Sequence, residues 1–167
     1  MSQNVFAFGS NMCSGRFRHY RIHPEGEGRA GLLSEYRLLF NKGSDDGSGK
    51  ANAEPHPGGQ VRGVLYAIPD ADLKTLDDGE KRYHRKKLPV STPNGDITEA
   101  WVYLATEPSN NPALRPYTWY KRFLVEGARE HALLPKYIAD LEQIEATQDP
   151  KHERDRKMRA IACRAAS

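Results

Sequence analysis

Apolar positions along this chain follow two rhythms. Up to about residue 105 they fall in short, partly alternating runs, and beyond Tyr117 they recur every three or four residues. "NVFAFG" (residues 4–9) reads as a strand stopped by Gly9. "GLLSEYRLLF" (31–40) reads as a second, with Leu33, Tyr36, Leu38 and Leu39 supplying its apolar faces, and "VRGVLYAI" (61–68) as a third. The stretch between the last two, "NKGSDDGSGKANAEPHPGGQ" (41–60), has turn-forming residues at high density and almost nothing to bury, so the pattern predicts a long loop there, functional or simply mobile. "PDADLKTLDDGE" (69–80) predicts a short helix capped by Asp70, with Leu73 and Leu76 inward and Gly79 in a left-handed C-terminal cap; Glu80 falls where helix gives way to strand. "KRYHRKKLPVS" and "TEAWVYLAT" then pair across "TPNGD", whose Asn94-Gly95 is a strong hairpin signal.

Three helices follow. Tyr117, Tyr120, Phe123, Leu124, Gly127, Ala128 and His131 share one face of the first. Pro135 opens the second, with Ile138, Leu141 and Ile144 on one side. The third runs from Asp149 as cap, with Met158, Ile161 and Ala162 gathered late. Strands first and helices last, without strand–helix alternation, predict an α+β fold with a mostly antiparallel sheet or barrel, and argue against a doubly wound nucleotide fold. The 167 residues fit one domain, which at this size buries roughly 70% of the unfolded chain's surface. We divide it into a main body, residues 1–148, and a helical extension, 149–167, packed on the same domain.

Charge changes this picture little. The formal net charge is +3, too slight an excess to imply nucleic acid, and basic residues gather in "GRFRHYRIHPEGEGR" and "KRYHRKK" as solvated surface or an anion-binding rim. Aromatics are not interleaved with these runs in a nucleic-acid-binding pattern, so neither nucleic acid nor membrane is expected as a partner. Cys13 and Cys163 match no metal spacing or disulfide framework, and free thiols in a reducing cytoplasm are the expectation. No run approaches the ~18 apolar residues of a membrane span, and no secretory leader pattern opens the chain.

Several chemistries are disfavoured. "GSNMCSGR" lacks the lysine of a phosphate loop and the G-x-G-x-x-G of a dinucleotide site. The six histidines show no metal-ligand spacing, so no metal is expected. Ser10 or Cys13 as nucleophile needs a base that local sequence does not bring to it, and Ser10 alone reads as a turn residue. Glu80 is a candidate acid, with Asp77 and Asp78 raising its pKa and Lys81 and Arg82 lowering it; an exposed loop carboxylate is the plain alternative.

Taken together, the motifs resemble the γ-glutamylcyclotransferase superfamily, including the AIG2-like proteins. "VFAFGSNM" looks like the family's strand and Y-G-S-N turn, with Phe8 in place of tyrosine. "GGQVRGVLYAIPDADLKTLDDGEKRYHR" resembles its second signature, placing the catalytic glutamate at Glu80, followed by Lys81 where a glycine is common. "YTWYKRFLVEGAREHALLPKYI" and "RLLFNKGSDDGSGKAN" match further segments, and the resemblance covers most of residues 4 to 142. It implies a small mixed, mostly antiparallel β-barrel with flanking helices and an intramolecular acyl transfer that closes a γ-glutamyl compound into 5-oxoproline, with no cofactor. Glu80 is then general acid and base, which works best with its pKa raised by burial in the pocket. Val5, Phe6, Ala7, Phe8, Gly9, Ser10, Asn11 and Tyr120 are the implied substrate-binding residues; the backbone N–H groups of Gly9 and Ser10 face the glutamyl carboxylate or the oxyanion. For Tyr120 a core tyrosine with a satisfied hydroxyl is the equal alternative. The implied partner is a small γ-glutamyl molecule, and the chain a monomer or homodimer. A non-catalytic protein that holds a small carboxylate in the same pocket is the competing function.

Overall fold

The computed structural model describes residues 1–164. Five strands, β1 (Ser2–Ala7), β2 (Glu25–Gly43), β3 (Gly49–Pro69), β4 (Tyr83–Ser91) and β5 (Ile97–Ala105), close into a barrel in the order β1-β3-β2-β4-β5. Every pairing is antiparallel except the closing one, where β1 meets β5 in parallel at Val5 and Trp101. The Trp101 Nε1–H donates to Gln3 Oε1 at 2.6 Å across that seam. The expected α+β barrel is thus the fold observed.

Five helices surround it: α1 (Ser14–His19), α2 (Asp70–Gly79), α3 (Thr118–Glu130), α4 (Pro135–Glu142) and α5 (His152–Arg159). One continuous core joins barrel and helices, and Phe6, Leu33, Val64, Val102, Phe123 and Leu124 are all within 2% of complete burial. Each such side chain contributes about 1.5–3 kcal/mol relative to exposure.

The expected long loop at 41–60 is not a loop. β2 runs on to Gly43 and β3 begins at Gly49, so only five residues form the turn, with Gly47 at φ +90°. Register shifts between Ser34 and Tyr36 and between Leu39 and Lys42 break the alternation. Such bulges erase the two-residue period that reveals a strand in sequence.

Smaller corrections follow the same physics. Asp70 is the first residue of α2, after Pro69, and makes no side-chain cap. Gly79 is still helical; the left-handed residue is Arg82, at φ +63°, which turns the chain into β4. Lys151, not Asp149, precedes α5. Asp149 is instead fully buried: it accepts hydrogen bonds from the Lys151 N–H at 2.9 Å, Trp119 Nε1 at 2.9 Å and Arg154 Nη2 at 2.6 Å. Arg154 above all holds its carboxyl well below the usual carboxylate range.

Helix α5 ends at Arg159, earlier than expected, and the chain returns to α1. There Cys163 is disulfide-bonded to Cys13, with Cα atoms 4.7 Å apart. This corrects the expectation of free thiols: spacing of 150 residues carries no signal of the proximity that tertiary folding creates. Residues 165–167 of the expected helical extension lie outside the described residues. No helix among the described residues is long and apolar enough to cross a membrane.

Candidate active site

Strand β1 ends at Ala7, and the chain passes through Phe8 and Gly9 into a 3₁₀ turn, Ser10–Met12. The turn is closed by the Met12 and Cys13 N–H groups donating to the Gly9 and Ser10 carbonyls, each at 3.1 Å. Gly9 is required by proximity: a Cβ there would stand 3.0 Å from both Ala51 Cβ and the Tyr120 hydroxyl. Facing the turn, α2 delivers Glu80 as its C-terminal capping residue.

All the implied site residues converge. Val5, Phe6, Ala7, Phe8, Gly9, Ser10, Asn11, Glu80 and Tyr120 line one inner chamber of about 50 Å³, together with Ala51, Tyr83 and Tyr103. Ser10, Asn11, Glu80, Tyr83 and Tyr120 also border a wider vestibule of about 320 Å³. Glu80 therefore stands at the passage between a small chamber and a larger mouth.

The Glu80 residue is half-buried, with its carboxyl turned inward, where Asn11 Nδ2 donates to Oε1 at 2.8 Å. Burial pushes its pKa above the ordinary carboxylate value, against the Asn11 hydrogen bond and the charges of Arg16 and Lys42, with Asp77 adding to the rise. Of the four neighbours weighed in sequence, only Asp77 matters; the balancing cations come from α1 and β2. Phe8 is buried and stacks on Phe6 with centroids 6.2 Å apart.

Three tyrosines complete the walls. The Tyr120 oxygen accepts the Ala51 N–H at 3.0 Å. Burial raises the Tyr120 pKa to about 12, so the phenol stays protonated at neutral pH, and with its oxygen already accepting, its O–H proton is the group left to donate. Both alternatives for Tyr120 hold at once: it is a core residue of α3, and its hydroxyl borders the cavity. Tyr83 donates to the Ala51 carbonyl at 2.7 Å, and Tyr103 donates to Asp77 Oδ1 at 2.5 Å.

Sequence reasoning missed Tyr83, Tyr103 and the Ala51 backbone. Tyr83 follows Glu80 by three residues and was legible as a neighbour; Ala51, inside the stretch read as loop, was not. Among the described residues no cluster of three or more His, Cys, Asp or Glu side chains is placed to hold a metal ion.

Residues 60–141 match the model of the AIG2-like family. The human protein named gamma-glutamylcyclotransferase is 28% identical over 149 residues, covering 84% of this chain and 77% of the relative. A solved gamma-glutamyl cyclotransferase shares the fold with a TM-score of 0.81 at 24% identity, over 95% of this chain and 98% of its own. A human protein solved without an assigned function gives a TM-score of 0.79 at 25% identity, over 94% and 98%.

Proposed function

We propose that this chain, which belongs to the γ-glutamylcyclotransferase and AIG2-like superfamily, cyclises a γ-glutamyl amine or peptide to 5-oxoproline and releases the amine. The observation that carries this reading is Glu80: a carboxylate of raised pKa, held by Asn11 at the junction of a small chamber and a larger mouth. The chamber and the mouth together give room for the glutamyl unit and the leaving part.

The reaction joins two ends of one molecule. The substrate's α-amine attacks its own γ-carbonyl carbon, an N–C bond forms, the bond to the leaving amine breaks, and a five-membered lactam results. An α-ammonium, with a pKa near 8, is no nucleophile until it loses a proton. Glu80 takes that proton and passes it to the leaving nitrogen, and the second proton, shed by the attacking nitrogen as the N–C bond forms, departs on the released amine as its ammonium, so protons balance over the cycle. A folded substrate in a chamber this small supplies several kcal/mol through proximity. The Tyr120 hydroxyl, a donor at neutral pH, is the group we assign to the carbonyl oxygen as negative charge develops on it.

The test is incubation with a panel of γ-glutamyl amines and dipeptides, reading 5-oxoproline by mass spectrometry. At least one compound is expected to turn over, and Glu80→Gln to lose about 10³-fold or more in kcat, the upper part of the range for a positioned acid–base group. Near-normal turnover by that variant removes Glu80 from its role. Tight binding without product from any compound favours the carboxylate-binding alternative.

A further inference from the structure

The vestibule holds more positive charge than its own acids neutralise. Two of its cations are paired: Lys50 Nζ lies 2.8 Å from Asp46 Oδ2, and Arg82 lies 3.0 Å from Asp45 Oδ1. Lys81 is exposed and unpaired, and the less exposed Lys42 and Arg16 form no ion pair among the described residues either. Lys42 is only 8% exposed, yet its ammonium has no hydrogen bond or ion pair among the described residues and lies 4.9 Å from the centroid of the Tyr83 ring. Arg16 has a buried Nε with no partner, touches only the Met158 sulfur at 3.6 Å, and packs its guanidinium over the Tyr20 and Phe123 rings.

An ammonium that reaches a cavity wall without a fixed anion keeps its donors free for a ligand, whereas sealing it unpaired inside the fold would be costly. Asp45 and Asp46, close in sequence, are committed to Arg82 and Lys50. Glu80 is committed to Asn11 and to proton transfer. Lys42 on β2 and Arg16 on α1 therefore border the same cavity as two separate cations whose charge Glu80 balances only in part. Two cations on different elements match two separated carboxylates better than one compact phosphate.

We infer that the vestibule selects γ-glutamyl substrates whose leaving amine carries two carboxylates, as an acidic amino acid or the first residue of an acidic peptide does, with Lys42 as the main specificity residue and Arg16 as its partner. This rests on the cyclotransferase reading for the chemistry, but the anion subsite is a binding claim of its own. Burial first, and Arg82 next, lower the Lys42 pKa from an ordinary value of 10.5, while Glu80, Asp45 and Asp46 raise it.

The experiment compares γ-glutamylglutamate with the nearly isosteric γ-glutamylglutamine. Calorimetric titration of Glu80→Gln, which reads binding without turnover, is expected to give at least tenfold tighter binding of the acidic peptide at low salt. Adding Lys42→Met is expected to erase most of that preference. Arg16→Met, as a second variant, is expected to reduce the preference in part. Equal binding of the two peptides, or a preference that survives both substitutions, overturns the inference. With the unmodified enzyme, turnover of both peptides at equal kcat/KM also overturns it while sparing the cyclotransferase reading. A Lys42-dependent preference with no 5-oxoproline from any compound does the reverse.

Discussion

At the scale of single residues, the site was half legible. Glu80, Asn11 and Tyr120 stand out because short motifs place them, and motifs survive in sequence wherever local backbone must take a fixed shape. What the motifs do not carry is the direction of each hydrogen bond. Asn11, implied as a substrate contact, spends its amide on Glu80 at 2.8 Å. That contact stabilises the ionised carboxylate and so pulls the Glu80 pKa down, against the rise caused by burial. Asn11→Ala removes the downward pull, and the pKa climbs further. Glu80 is then protonated over more of the pH range, so on the proposed role as general base the acid limb of the kcat/KM profile moves to higher pH. A hydrogen bond to a charged group contributes about 1.5–3 kcal/mol, and kcat/KM on the acid side of the profile should fall accordingly. A pH–rate series from pH 5 to 9 checks it: an unmoved acid limb means that Asn11 does not tune Glu80. Reversal of the loss by Asn11→Gln is not expected, because one extra methylene pushes the amide into the carboxylate it should hold.

At the scale of elements, helices were easier to read than the long hairpin. The period of three to four in α3 is undisturbed, whereas β2 and β3 lose their alternation at each bulge, and glycines and prolines disguise the rest. Helix α3 also carries a constraint that its sequence states only as a glycine. A Cβ on Gly127 would stand 2.5 Å from the Met12 carbonyl carbon and 2.6 Å from the Cys13 nitrogen, both backbone atoms of the segment that ends the site's 3₁₀ turn. Intrinsic helix propensity favours alanine by about 1 kcal/mol, while overpacking against a structure that cannot rotate away costs about 1–3 kcal/mol and sometimes more. Backbone contacts this short put the cost at or above the top of that range. Gly127→Ala is therefore expected to destabilise by roughly 2 kcal/mol net, lowering the melting temperature by about 4–8 °C for a domain of this size. Because the helix would be pushed off the turn that carries Asn11, kcat/KM should fall more than stability alone explains. Thermal unfolding beside kinetics well below the transition separates the two losses, and a more stable variant would show that α3 moves aside freely.

At the scale of the whole molecule, the least legible feature is the closure of the chain on itself. The barrel was foreseeable from strand order and from the resemblance, but nothing in the spacing of Cys13 and Cys163 said that they meet. Contacts across 150 residues are set by the completed fold, after every local rule has acted. The closure is extensive. Ser14 Oγ donates to the Cys163 carbonyl at 2.7 Å, Arg18 Nη2 donates to the same oxygen at 2.8 Å, and Arg122 Nη2 donates to the Ile161 carbonyl at 2.7 Å. A link that closes a loop this long removes conformational freedom from the unfolded chain and on the chain-entropy view contributes about 3–5 kcal/mol. Cys163→Ser should therefore lower the denaturant midpoint by an amount matching that figure. Wild-type protein in excess dithiothreitol should fall to the same midpoint, and the variant should ignore the reductant. The polar ties just named keep the C-terminal segment docked at low temperature, so turnover under native conditions should change little. A midpoint insensitive to both treatments means the thiols are unpaired in solution. A large loss of turnover without loss of stability means instead that the link, through Cys13, sets the position of the catalytic turn.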